Sequence, residues 1–390
     1  MYRRNWFYLG LTGLALTIVL TVAPWAKNTQ NTEKNDPNAW RLAEPIRYEN
    51  LSVFPVLSGK SVDTSSFVTL DDALSTGQVV VTEKGGDVVR RSRGAHPVGV
   101  PQQYGASVNQ LVLINRSSKP LLLLAGELVS GGKQDRIISR DRIVPPDADP
   151  LPLDVFCVEE GRWSAGAQFS AGELMVHPSV REKAAVDQEQ AKVWEAVRSG
   201  TTSGAGTTNG TLSSAALAQP AQQTQTVTVT SEALSGVMTS EARTHSYKGI
   251  YNSKAIGDPV DAFTKQVQER FARATANLKG ESVVGVVIAY GHDVAWSDIF
   301  ASPALFVRYW PKLLRSYVVE ALTRPKTGEQ ASVNDAREFL RPLMGHESIE
   351  TEPATYRLKE VTEGRYVEME LEALRPVDIT LHVLKVHRTS

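Results

Sequence analysis

Between two apolar runs, Pro120 to Ala125 and Ile143-Val144, residues 126 to 142 crowd Glu127, Lys133, Gln134, Asp135, Arg136 and Arg140 among three glycines. Glu159, Arg162 and Trp163 arrive at the end of the next strand-like run. An arginine fork, a carboxylate and an indole face together suit an anionic, planar ligand, with Lys133, Gln134, Asp135, Arg136, Arg162 and Trp163 as its contacts. Glu127 or Glu159 would serve as a general base if held in a partly desolvated cleft. The same residues equally describe an ion-pair network under a hairpin, with Trp163 only packing.

A second polar cluster, Gly291 to Phe300, lies between an apolar run and a helix start at Ser302-Pro303. Unpaired amides at a helix N-terminus attract anions, so Asp298 is added to the ligand-binding set, although it would also simply complement the helix dipole. His292 and Asp293 offer a weak acid-base pair, since adjacent residues need not face each other.

Other chemistries find no footing. The sequence has no phosphate-cradling Walker run, dinucleotide fingerprint, zincin motif or nucleophile elbow. Gly85-Gly86 and Gly131-Gly132 read as tight turns. The seven histidines are scattered singly, without helical metal spacing, and neither a metal site nor a cofactor is expected. Cys157 is the only cysteine, which excludes an intramolecular disulfide, and its strand-like setting, Leu153 to Val158, marks a buried small hydrophobe. With 42 basic and 43 acidic residues the chain lacks the basic face that nucleic acid requires.

The elements that must position these groups follow from periodicity. Arg3 and Arg4 precede an apolar stretch, 6–26, long enough to span a bilayer, with Trp6, Tyr8 and Trp25 at aromatic-belt positions. The expectation is an N-terminal membrane anchor over 1–26 with the remainder outside the cytoplasm; a cleaved signal peptide, secreted or periplasmic, is the alternative, with Pro24 disturbing the cleavage pattern. A polar tether, 27–44, follows. Strands are expected at 46–57, where Pro55 implies an edge or bulge, and at 79–83, 108–114, 120–125, 136–144 and 151–158, with a short helix at 69–74. The first half is therefore a β-rich sandwich or open barrel. An amphipathic helix over 180–197 leads into a Gly/Ser/Thr/Ala/Gln-rich flexible insertion, 199–225. The stripe Val260, Phe263, Val267, Phe271, Ala274, Leu278 marks a helix, 282–290 a buried strand, and Ser302-Pro303 the capped start of a helix that Pro311 should kink. A helix near 332–341 and two or three strands close an α+β fold, its second half supplying helices and a further sheet.

The residues Gly126-Glu127, Gly131-Gly132-Lys133-Gln134-Asp135-Arg136 and Cys157-Val158-Glu159-x-Gly161-Arg162-Trp163 resemble a bacterial family, the ARG and rhodanese-phosphatase-superfamily-associated protein domain. Asp298-Ile299-Phe300 and Leu313-Leu314-Arg315-Ser316-Tyr317 extend the resemblance, which covers about 45–325, with 326–390 packed against it. The family name reports gene association with ADP-ribosylglycohydrolases, rhodaneses and phosphatases, which implies a place near nucleotide or ADP-ribose chemistry. The expected function is a binding module for a small anionic ligand. A hydrolase or transferase using a glutamate base, and a structural or partner-binding envelope protein, are the alternatives.

Overall fold

A computed structural model of the chain describes residues 40–84, 109–159, 166–199, 247–252, 254–324, 326 and 328–388. Strands β1 (Arg41–Leu42), β2 (Ile46–Tyr48), β3 (Leu51–Ser58) and β4 (Val68–Thr69) lead into helix α1 (Leu70–Ser75). Then come β5 (Val79–Glu83), β6 (Gln110–Asn115), β7 (Leu121–Leu123), β8 (Glu127–Gly131), β9 (Arg136–Ile138), β10 (Arg142–Val144), β11 (Leu151–Cys157) and β12 (Phe169–Met175). Helix α2 (Pro178–Glu182) continues as a π turn, Lys183–Asp187, before α3 (Gln190–Ser199), α4 (Tyr247–Asn252) and α5 (Lys254–Thr275). The remainder is β13 (Ser282–Tyr290), β14 (Asp293–Phe300), α6 (Pro303–Thr323), α7 (Val333–Phe339), β15 (His346–Glu352), β16 (Tyr356–Glu363), β17 (Tyr366–Ala373) and β18 (Ile379–His387). The architecture is α+β and β-rich.

One nine-stranded sheet runs β1-β3-β13-β14-β18-β17-β16-β15, with β2 also on β3. An inner strand, β13, is almost wholly apolar because both faces are covered. Val286, Ile288 and Tyr290 enter the main core with α5 and α6, whereas Val284, Val287 and Ala289 pack toward α7. Pro55 lies inside this sheet, not at its edge. It falls where β1 hands over to β2, and its carbonyl accepts from the Ala43 amide at 2.9 Å. On its other side it faces Val286, just beyond a register shift at Val283/Gly285. The bulge is present, so the missing N–H is accommodated at an interruption of the ladder.

A six-stranded sheet, β12-β8-β9-β11-β6-β5, curls until its ends meet at a Thr82–Gln168 bridge. A three-stranded sheet, β10-β7-β4, shares its interior. The continuous leucine run is explained by two cores back to back: Leu121 and Leu123 point into the barrel, Leu122 and Leu124 into the main core. Val129, Ile138 and Val155 line the barrel in the same alternation by which Leu128, Ile137 and Phe156 face the helices. Cys157 is fully buried, and burial pushes its thiol up to about 11.

The helix signals hold with changed bounds. In α5 the buried stripe is Val260, Phe263, Val267 and Phe271, and the helix ends before Leu278, leaving Ala274 exposed. Ser302 caps α6 by accepting from the Leu305 amide at 3.0 Å, Pro303 stands in its first turn, and the helix continues through Pro311. The single helix expected over 180–197 is broken: the π turn ends at Gln188, which takes a left-handed conformation, φ 56°. Gly291 to Phe300 is also corrected. It forms a hairpin turn and strand β14, so Asp298 lies on a strand and not at a helix N-terminus. Four terminal strands are present, including β15, whose polar His-Glu-Ser-Ile-Glu-Thr-Glu carries no apolar alternation.

The membrane anchor and the location outside the cytoplasm derived from it are withdrawn. Among the described residues no helix is long and apolar enough to cross a membrane, and the segment 6–26 on which the expectation rested lies outside them. The insertion 199–225 lies outside them as well, apart from Ser199, the last residue of α3.

Candidate functional site

Asp298 anchors a wholly buried ionic chain. Neighbouring strands place it: Phe300 on β14 pairs with His382 on β18, so Asp298 and His382 share one face diagonally. Arg181 comes from α2, whose start is fixed by Pro178 in its first turn and by Glu320, which accepts from the Ser179 amide at 3.0 Å. Arg181 Nη1 reaches Asp298 Oδ1 at 2.8 Å, His382 Nε2 lies 2.9 Å from the same oxygen, and Trp296 Nε1 donates to Oδ2 at 2.8 Å. The Tyr317 hydroxyl donates to Oδ2 as well. On its other side His382 Nδ1 meets Asp141 Oδ2 at 2.5 Å, while Asp141 Oδ1 accepts from the Ala125 amide at 2.8 Å.

The order Asp141, His382, Asp298, Arg181 alternates in charge and sums to zero when the imidazole is protonated. Burial opposes that charged form, but Asp141 and Asp298 outweigh it and raise His382 to about 9. Burial would likewise raise Asp298, yet Arg181 and His382 hold it well below the usual carboxylate range. Arg181 crosses the backbone at Gly126, where a Cβ would stand 2.7 Å from its Cγ and where φ is +87°. Only glycine fits there.

Glu127 is buried on β8 and belongs to a second ionic group. Its Oε2 accepts from the Leu124 amide at 2.7 Å and its Oε1 from Lys312 Nζ at 2.5 Å. Lys312 also donates to Asp71 Oδ2 at 2.7 Å and sits 4.5 Å from the Tyr309 ring centroid. Burial pushes Glu127 upward, and it also works against the Lys312 ammonium, which Glu127 and Asp71 nevertheless hold above the ordinary lysine value.

Glu159 and Asp135 secure the chain where it enters α4. Glu159 accepts from the Asp135 amide at 3.0 Å and the Tyr247 amide at 2.7 Å; Asp135 accepts from the Ser130 hydroxyl at 2.8 Å and the Lys248 amide at 3.3 Å. Arg136 is buried, with Nη1 3.3 Å from Gln134 Oε1 and Nη2 3.9 Å from Glu83 Oε1, and Glu83 also accepts from the Lys133 amide at 2.9 Å. Arg162 and Trp163 lie outside the described residues. Lys133 to Arg136 and Glu159 are thus brought together, while Glu127 and Asp298 each belong to a separate buried group.

A cleft of about 330 Å³ opens elsewhere, between the barrel and the terminal hairpin β15–β16. Arg140 and Asp141 from the β9–β10 connection, Arg142 at the start of β10, Asp154 from β11, Gln188 after the π turn, and Glu350 and Tyr356 from the hairpin line it. Of the run 126–142, the residues from Ile138 to Arg142 line this cleft, Arg140 among them; the described residues assigned above to binding or catalysis do not. Arg140 pairs with Glu350 at 3.2 Å and with Glu360 at 3.6 Å. Arg142 donates to the Pro152 carbonyl at 3.3 Å and has no carboxylate within 4 Å among the described residues. Gln188, which the sequence places in a helix, instead has its side-chain amide on the Ser139 carbonyl at 3.3 Å. Left-handed non-glycine residues and π turns gather at functional sites. Asp141 joins this cleft to the buried chain through His382.

A family model described as the ARG and Rhodanese-Phosphatase-superfamily-associated Protein domain matches residues 39–384. No curated protein and no solved structure matches the chain. The match spans most of the sequence, and the chain belongs to this family.

Proposed function

We propose that this member of the family is a binding module for a small anionic ligand, held in the cleft between the barrel and the terminal hairpin. The observation that carries the reading is Arg142, a half-buried arginine lining a ligand-sized cleft with no carboxylate within 4 Å among the described residues. A partly desolvated cation gains most from an incoming anion, and a guanidinium matches phosphate or carboxylate oxygens in pairs. The volume stands at the lower end of the roughly 300–1,000 Å³ typical of small-molecule sites. A sugar phosphate or mononucleotide can be enclosed there; ADP-ribose would leave one half outside. The family's association with ADP-ribosylglycohydrolases and phosphatases fits a ligand of that class.

Binding is favoured over catalysis by a glutamate because both oxygens of Glu127 and of Glu159 already accept hydrogen bonds in buried positions. A general base needs a lone pair within reach of its substrate.

Calorimetric titration of the full chain with AMP, ribose 5-phosphate and adenosine tests the proposal. The two phosphate-bearing compounds should bind and adenosine should not. Arg142→Ala should weaken binding by roughly 10- to 100-fold, the worth of a charge-assisted contact. Equal binding of adenosine and AMP, or an Arg142→Ala variant that binds like the parent, would overturn it.

A further inference from the structure

Glu350 already sits in the cleft as a ligand's anion would. Its Oε2 accepts from Arg140 Nη1 at 3.2 Å and its Oε1 from the Tyr356 hydroxyl at 3.1 Å. With two oxygens it serves two donors. Among the described residues Arg142 is left without a carboxylate, and Arg140 Nε is buried without an acceptor. Glu350 is weakly held: its side chain is 50% exposed, and β15, on which it lies, is the outermost strand of the sheet, paired only to β16 and exposed at every residue. An exposed ion pair of this kind contributes little to stability and is readily exchanged.

We infer that Glu350 is a built-in competitor for the cleft, and that the ligand it yields to carries a terminal phosphate, whose three oxygens take Arg140, the Tyr356 hydroxyl and Arg142 together. The inference rests on the anion-binding reading above and narrows it to phosphomonoesters. A planar carboxylate could meet all three donors only by sharing one oxygen between two of them, whereas a tetrahedral phosphate offers a separate oxygen to each. Glu360, 3.6 Å from Arg140, keeps that guanidinium in place after Glu350 swings out. The cleft should therefore prefer the phosphate of a monoester to a carboxylate of equal size.

The test is calorimetry on the full chain with ribose 5-phosphate and with ribonate, comparing the parent with Glu350→Gln, Glu347→Gln and Tyr356→Phe. Glu347 lies on the other face of β15, 3.5 Å from Lys359, so its substitution changes the same charge on the same strand without entering the cleft. Glu350→Gln should tighten ribose 5-phosphate about two- to fivefold, the scale of one exposed ion pair. Glu347→Gln should change it less than about twofold, because solvent screens the more distant charge. Tyr356→Phe should weaken it, and ribonate should bind more weakly than ribose 5-phosphate throughout. If the parent binds ribose 5-phosphate but Glu350→Gln leaves affinity unchanged, or Glu347→Gln raises it equally, direct competition is refuted while the anion site stands. Ribonate binding as tightly as ribose 5-phosphate refutes the phosphomonoester preference. Absence of binding in the parent and in Glu350→Gln removes the site and the competitor together.

Discussion

Two groups of charges meet at Asp141 and behave in opposite ways. On its inner side His382, Asp298 and Arg181 are buried to the last atom or nearly so, and each carboxylate oxygen has a donor at 2.5–2.9 Å or closer. On its outer side Arg140, Arg142 and Glu350 are partly solvated, held at 3.1 Å and beyond. Charges removed from water must be matched almost completely, since an unmatched one would be lost as a proton or unfold its surroundings. Charges at a cleft wall can stand incompletely matched, and that deficit is available to a ligand. The inner chain therefore holds the fold, and the outer group is the candidate for recognition.

The largest effect should come from the inner chain. Arg181→Met leaves Asp298 buried beside a single cation and should cost about 3–5 kcal/mol in denaturant unfolding, whereas Arg140→Met should cost less than about 1 kcal/mol. Similar costs would erase the distinction between the two regions.

The next effect is a pH dependence. Against the effect of burial, Asp141 and Asp298 raise the folded pKa of His382 to about 9 from the ordinary imidazole value of 6.5. Its contribution is complete below the unfolded pKa and disappears as pH rises through about 9, worth roughly 3 kcal/mol at most. Unfolding curves between pH 6 and 10, parent against His382→Gln, should converge toward the alkaline end. A constant gap would mean that the imidazole is neutral in the folded protein.

A smaller effect, about 1–3 kcal/mol, is expected for Gly126→Ala, from its φ of +87° and the 2.7 Å approach to Arg181 Cγ. Combined with Arg181→Ala the two costs should fall short of their sum, because Arg181 Cγ and Cδ, 2.7 and 3.0 Å from the added Cβ, are the shared obstacle and alanine removes both. Full additivity would show that backbone conformation alone requires the glycine.

The sequence exposed those features whose cause is local. The α5 stripe, the Ser302-Pro303 cap and the apolar β13 all have their partners encoded as periodicity within one segment. Strand β14 did not show itself because Ser297 and Asp298, both fully buried, look like surface residues, and the cation that makes Asp298 tolerable lies 117 positions away at Arg181. Strand β15 was hidden for the opposite reason: a fully exposed edge strand has no apolar face to reveal it. The cleft was half visible. Arg140 stood in the run that looked reactive, but Gln188, Glu350 and Tyr356 reach it from distant segments. Glu159 and Asp135 resembled site residues because carboxylates that cap backbone amides and carboxylates that bind substrates have the same one-dimensional signature.

The pairing of β3 with β13 sets a timetable for synthesis. Leu51 lies opposite Tyr290, and Ser58 opposite Ser282, so β3 emerges from the ribosome more than 200 residues before its neighbour. Contacts so distant in sequence form late and leave sticky segments uncovered meanwhile. Leu-Ser-Val-Phe-Pro-Val-Leu-Ser would be a strong self-associating strand but for Pro55, which removes one amide from any ladder that a second nascent chain could build. The proline that the finished sheet accommodates at the handover between β1 and β2 thus acts earlier, as a guard on a strand that must wait.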